Sequence, residues 1–265
     1  MRYWHLLSLD APTVAVVWSA AFAWIAHAHL PIWLLFLQAL VVWSVYVVDR
    51  LLDARSSLRS GEGEDLRERH FFHWRHRAVL APLAMAAWVA SAWIVLRWMP
   101  AAAKERSSAL GAASLAYFAG VHSGGLRRFA TKELLVGVLF TLGCALPAWW
   151  RGRAGWPAAA AAAYFAAVAW LNCGAIEEWE SGGAARGRIG RKAQRIGAAG
   201  LACAGAMVCL DGRAAALLGA GAASALLLGL LDRVGGRMSA MLLRAAADLV
   251  LLTPMLALLA QWVRR

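Results

Sequence analysis

Acidic residues are scarce in this chain: 15 Asp and Glu stand against 27 Lys and Arg in 265 residues. Charged residues of both signs make up only 16% of it, well below the roughly 25% of a soluble domain, which argues against a water-soluble fold. Cysteine is equally sparse. Cys144, Cys173, Cys203 and Cys209 stand singly in apolar runs with no CxxC pair. They read as small buried hydrophobes and give no framework from which to infer a redox compartment. A cleavable leader is not expected either. Trp4, His5, Asp10 and Pro12 precede the first apolar run, and no small-residue cleavage site follows it.

Hydrophobicity is what the chain has. It is 62% hydrophobic and carries 15 Trp. Its charges come in short bursts between apolar runs of about 20 residues, the length that crosses a hydrocarbon core of ~30 Å. The pattern predicts an all-α polytopic membrane protein in which residues 1–265 form a single transmembrane domain. Nine spans are expected, at roughly 12–29, 32–52, 78–98, 107–122, 133–150, 157–176, 194–211, 214–231 and 238–262. Pro12, Pro31 and Pro157 fall at helix starts, where a missing N–H costs little. Pro82, Pro147 and Pro254 are expected to kink their spans.

Basic residues orient the bundle. Arg50, Arg55, Arg59, Arg67, Arg69, Arg75 and Arg77 follow the second span. Arg127, Arg128 and Lys132 follow the fourth, five more follow the sixth, and Arg233 and Arg237 follow the eighth. One side thus carries 17 Arg and Lys and the other six. The positive-inside rule then places the N-terminus in the cytoplasm and the C-terminus outside, as expected of a bacterial inner-membrane protein. The net charge of +12 is explained by these loops facing anionic lipid, and calls for no nucleic-acid partner. The Ala- and Gly-rich stretches at 158–168 and 197–225 read as close helix packing.

Because acids are scarce, their placement is informative. Most fall in two groups on the predicted cytoplasmic side: Asp49 and Asp53 with the loop that follows, and Asn172, Glu177, Glu178 and Glu180 in NCGAIEEWE. Asp49 and Asp53, four residues apart, share a helix face and repel one another. A divalent cation removes that repulsion. Mg²⁺ takes oxygen ligands, commonly one or two carboxylates plus substrate phosphates, and neighbouring arginines can grip the other phosphate oxygens. A diphosphate head on a bilayer-soluble tail fits such a place. A solvated helix rim is the plainer alternative.

The segment DRLLDAR, Asp49 to Arg55, resembles the first aspartate motif of the UbiA superfamily of intramembrane prenyltransferases. The stretch from Tyr117, YFAGVHSGGLRRFATKELLVGVLFTLG, is similar to that family's connection between its fourth and fifth helices. The acidic group at 172–180 falls where the family carries its second aspartate-rich motif. The sequence departs from the pattern at Val45, where the family has asparagine, and in its second motif, which offers Glu and Asn. The resemblance implies a UbiA-like helical bundle with cytoplasmic active-site loops at about 50–77, 123–132 and 177–193. It implies Mg²⁺-dependent transfer of an isoprenoid chain from an allylic diphosphate to an aromatic, quinone-type or other lipophilic acceptor. Asp49 and Asp53 would hold one Mg²⁺ and Glu177 with Glu180 another. Arg127, Arg128 and Lys132 would hold the diphosphate, with Arg50, Tyr117 and Asn172 as further substrate contacts.

Two features lie outside that motif set. His70, His73 and His76 repeat every three residues in RERHFFHWRHR. They are read either as a base or diphosphate contact in a helix covering the site, or as interfacial residues. Asp248 lies deep in the last span, where a charge is expensive. It is read as an ion pair with Arg244 one turn earlier or as a contact to the acceptor. Two other readings remain beside transfer. One is an intramembrane terpene cyclase, with tryptophans steadying a carbocation. The other is a non-catalytic lipid-binding or transport protein that retains the fold.

Overall fold

The computed structural model describes residues 2–59, 68–122, 132–180 and 187–263. Among these the chain is helical, with no strand. Two short helices, α1 (Arg2–Leu6) and α4 (Glu68–Arg75), accompany ten longer ones. These are α2 (Asp10–Ile25), α3 (Ile32–Arg59), α5 (Arg77–Trp98), α6 (Ala101–His122), α7 (Lys132–Trp149), α8 (Trp156–Glu180), α9 (Arg188–Met207), α10 (Gly212–Val234), α11 (Ala240–Leu249) and α12 (Pro254–Val263). Each of the nine expected spans corresponds to a helix in order, the ninth being the broken α11–α12 pair.

Length and apolarity single out fewer membrane-crossing helices than nine. Five qualify, α3, α5, α7, α8 and α10, and the α11–α12 pair makes six if its two halves, bent by 40°, count as one span. The chain is an integral membrane protein by that measure. The three remaining helices fall short for separate reasons. The α2 helix has only 16 residues. Lys104, Glu105 and Arg106 occupy the start of α6, which leaves its apolar part little more than four turns. Arg188, Arg191, Lys192 and Arg195 occupy the start of α9 and give it one polar face.

The core lies where α2, α8 and α10 meet. Trp18 stacks on Phe165 with ring centroids 3.6 Å apart, and Phe22 tilts against both rings. Around them the buried residues are mostly alanines and leucines, small enough for helix backbones to approach closely. Gly200 of α9 is one such position, since a Cβ there would run into the Tyr164 ring and hydroxyl of α8. Tyr164 in turn donates to the Ile196 carbonyl at 2.9 Å.

The break in the last span has a chemical cause. Pro254 has no N–H, so it cannot satisfy the Val250 carbonyl one turn back. Residues 250–252 tighten into a 3₁₀ turn. Ser224 Oγ donates to the Val250 carbonyl at 2.7 Å, and Trp18 Nε1 donates to the Leu251 carbonyl at 2.8 Å. Ser224 of α10 thus replaces the bond that proline removes, and Trp18 of α2 holds the carbonyl that follows.

Candidate functional site

Asp49 and Asp53 lie half-buried on the last turns of α3, the long helix that carries the apolar run to its polar end. The short helix α4 packs against this end. His70 Nε2 comes within 3.9 Å of Asp53 Oδ2, with the carboxylate side chain 45% exposed. The three loop histidines separate according to helix geometry. His70 and His73 are buried, as the spacing that puts them on one face requires. His76 Nδ1 turns back to the Phe72 carbonyl at 2.8 Å. Arg77 does not join the inward face: it lies over the Trp74 ring at 4.6 Å and donates to the Trp74 carbonyl.

Beneath this rim is a polar network buried inside the bundle. His73 Nε2 meets Ser8 Oγ at 3.1 Å, and Arg50 Nη1 donates to the same Ser8 hydroxyl. Ser8 stands in the turn between α1 and α2 with φ of 59°, a left-handed conformation rare for a residue other than glycine. Arg50 is only 2% exposed, and its guanidinium also lies 5.7 Å from the Tyr46 ring centre. It points inward, within electrostatic reach of Asp10 and Asp248.

Those two carboxyls form the centre of the network. His5 Nδ1 and Asp10 Oδ2 are 2.6 Å apart, and Asp10 Oδ1 also accepts from the Ala11 N–H at 3.0 Å. Asp10 and Asp248 each bring a carboxylate oxygen within 4.8 Å of the other, close enough for like charges to oppose one another. Asn172 Nδ2 donates to Asp248 Oδ1 at 3.2 Å. Helices α1, α2, α8 and α11 each contribute one side chain.

The residues expected from sequence are distributed unevenly about this centre. Tyr117 of α6 lies within electrostatic reach of Asp49 and Glu133. Lys132 opens α7, its Nζ 4.0 Å from Glu133 Oε1, and both act on Cys173, next to Asn172. Asn172 is buried. Asn172 and Asp248 meet directly and Arg50 lies within electrostatic reach of Asp248, whereas Tyr117 and Asp49 are related only by such longer-range reach. Glu177 is exposed further along α8, and Glu180 is engaged elsewhere: its Oε1 accepts from Arg244 Nη1 at 2.6 Å. The expected partnership of Arg244 with Asp248 is thus replaced by Arg244 with Glu180 and Asp248 with Asn172. Arg127 and Arg128 lie outside the described residues.

Oxygen donors and partial exposure at Asp49 and Asp53 suit a hydrated Mg²⁺ that shares its shell with phosphate. The other expected pair, Glu177 and Glu180, fits less readily, because Glu180 must first release Arg244. His5 and Asp10 were not among the site residues expected from the sequence. The available signal was an Asp and a His just ahead of the first apolar run, together with an Asp248 too deep to remain without a partner. Several tryptophans, Trp88, Trp93, Trp98, Trp156 and Trp262 among them, are exposed on the outside of the bundle, where interfacial anchors sit. The class these features define is an all-helical membrane protein with a polar site built into one end of its bundle. No protein-family model, curated protein or solved structure matches the chain.

Proposed function

We propose that this protein is a UbiA-like intramembrane prenyltransferase that binds an isoprenoid diphosphate at the polar end of the bundle. It would transfer the chain to an aromatic, quinone-type or other lipophilic acceptor. The observation that carries this reading is the Asp49–Asp53 pair, half-buried at the end of a long apolar helix, with His70 3.9 Å from Asp53. Such a place keeps a charged head in water-side chemistry while its tail stays in hydrocarbon.

Asp49 and Asp53 would hold Mg²⁺, which when bound neutralises charge on the departing diphosphate. Lys132, with Arg127 and Arg128, supplies cations for the remaining phosphate oxygens. The bond from the allylic carbon to the diphosphate oxygen breaks, with its electron pair leaving on the diphosphate. A new bond forms to the acceptor, which gives up a proton. Tyr117, within electrostatic reach of Asp49, would face the allylic end and the acceptor. Nine spans, with the N-terminus inside and the C-terminus outside in a bacterial inner membrane, complete the proposal.

Thermal unfolding in detergent tests the reading. An unreactive isoprenoid thiolodiphosphate should raise the melting temperature only when Mg²⁺ is present. The matching isoprenoid alcohol should raise it much less. Equal shifts for alcohol and diphosphate, independent of Mg²⁺, would identify a lipid-binding protein instead.

A further inference from the structure

We propose that His5, Asp10 and Asp248, with the side-chain carbonyl of Asn172, bind one divalent cation of the manganese or zinc class. This site is separate from the Asp49–Asp53 rim and does not depend on the prenyltransferase reading.

Geometry is the first argument. One ligand atom from each of His5, Asp10 and Asp248 falls in a cluster whose members all lie within 4.8 Å of one another, the one such group of three among the described residues. Ligands at about 2.1 Å from a common ion stand no more than about 4.2 Å apart, so the widest pair needs to close by less than an ångström. A cavity of about 60 Å³ opens between these three side chains, with Trp4, Thr13, Ala245, Leu249 and Leu252 completing its wall. That space suits an ion with a water or two, and is far too small for an isoprenoid.

An orphaned polar atom is the second, independent argument. Asn172 is 5% exposed, and its amide nitrogen is spent on Asp248. The oxygen of the same planar amide, Oδ1, is buried without a hydrogen-bond partner. Leaving such an acceptor unsatisfied is costly, because water no longer compensates it. A half-turn of the amide would exchange its nitrogen for its oxygen on the Asp248 side, and a cation seated against Asp248 would then take that oxygen as a fourth ligand.

Charge is the third argument. As metal ligands Asp10 and Asp248 would bring two negative charges against the single guanidinium of Arg50, and a dication compensates that surplus. The donor set indicates which dication. An imidazole nitrogen combined with carboxylate and carbonyl oxygens suits Mn²⁺ or Zn²⁺ better than Mg²⁺, which favours oxygen and water. The ligands come from α1, α2, α8 and α11, so the ion would clasp the N-terminal segment to the last span.

The test uses the full chain in detergent, stripped with EDTA and then loaded with MnCl₂. After desalting, pulsed electron paramagnetic resonance should show bound Mn²⁺ coupled to a ligand ¹⁴N nucleus, and added Zn²⁺ should displace it. His5→Gln should abolish the ¹⁴N coupling. Asn172→Ala, which leaves the three titratable ligands in place, should weaken Mn²⁺ binding about tenfold. Asp49→Asn, Asp53→Asn and His70→Gln should all keep the ¹⁴N-coupled signal, so loss of the rim site and loss of this one are told apart. Wild-type protein that retains no ¹⁴N-coupled Mn²⁺, or a coupling that survives His5→Gln, overturns the proposal. The cluster would then be a self-neutralising set of ion pairs.

Discussion

Arg244 Nη1 donates to Glu180 Oε1 at 2.6 Å, between side chains that are 14% and 12% exposed. One turn along α11 from Arg244, Asp248 accepts from Asn172. Two neighbours on one helix face thus take partners eight residues apart on α8, in reverse order, which fixes the two helices antiparallel in register. An ion pair so little exposed differs from a surface bridge, because removing one partner strands a charge. Arg244→Met alone and Glu180→Gln alone should each destabilise the protein by about 2–4 kcal/mol. The double variant should lose clearly less than the sum, with a coupling of about 1–3 kcal/mol. Thermal or denaturant unfolding in detergent measures all three, and additive losses would reduce the contact to a solvated rim pair.

The broken last span gives a second cycle. Ser224 Oγ supplies the hydrogen bond to the Val250 carbonyl that Pro254 cannot. Ser224→Ala should cost about 1–3 kcal/mol, the price of stranding a buried acceptor. Pro254→Ala restores a backbone N–H one turn after Val250. In that background Ser224→Ala should cost less than about 1 kcal/mol, since the carbonyl has a helical partner again. An equal cost in both backgrounds would show that Ser224 stabilises the bundle by some other route.

Much of this fold was legible because hydropathy is a property of local sequence. The apolar runs mark every long helix, and the four-residue spacing of Asp49 and Asp53 places both on one face without any tertiary information. Length was harder to read. The basic starts of α6 and α9 look like loop ends, yet the helices continue through them. Partner choice was not legible. Arg244 and Asp248 form a plausible pair along one helix, but docking against α8 offers each a better partner. Arg50 sits inside DRLLDAR, and only the tertiary fold shows that its guanidinium turns inward to Ser8. His5 and Asp10 were visible as polar residues ahead of a span, and their meaning depends on α11 arriving from more than 230 residues away.

Glycines of α9 test the packing that the small-residue stretches suggest. A Cβ at Gly200 would meet Tyr164, whereas one at Gly205 has nothing within 4 Å. Gly200→Ala should therefore displace Tyr164, break its bond to the Ile196 carbonyl and cost about 1–3 kcal/mol. Gly205→Ala meets no obstacle and should stabilise by about 0.5–1 kcal/mol through helix propensity. The two substitutions are chemically identical and lie five residues apart on one helix. Melting temperatures that move in the same direction would contradict the close approach of α8 and α9.

Asp49→Asn and Asp53→Asn should each abolish Mg²⁺-dependent turnover of an isoprenoid diphosphate while the protein stays folded and inserted. Asn keeps the volume and removes the negative charge that recruits the cation. Without that charge the departing diphosphate is poorly neutralised, and losses of this kind commonly amount to about 100-fold or more in rate. Stability should hold or rise, because each substitution relieves repulsion between carboxylates one turn apart. The two variants should also differ from one another. Asp53 has His70 within 3.9 Å, so Asp53→Asn removes a partner of that buried imidazole and should gain less stability than Asp49→Asn. A helix rim that merely solvates the end of α3 predicts the opposite pattern, with turnover intact and a small loss of stability in both. Melting curves recorded with and without Mg²⁺ and the thiolodiphosphate separate the cases, and a ligand-induced rise that survives both substitutions removes Asp49 and Asp53 from the mechanism.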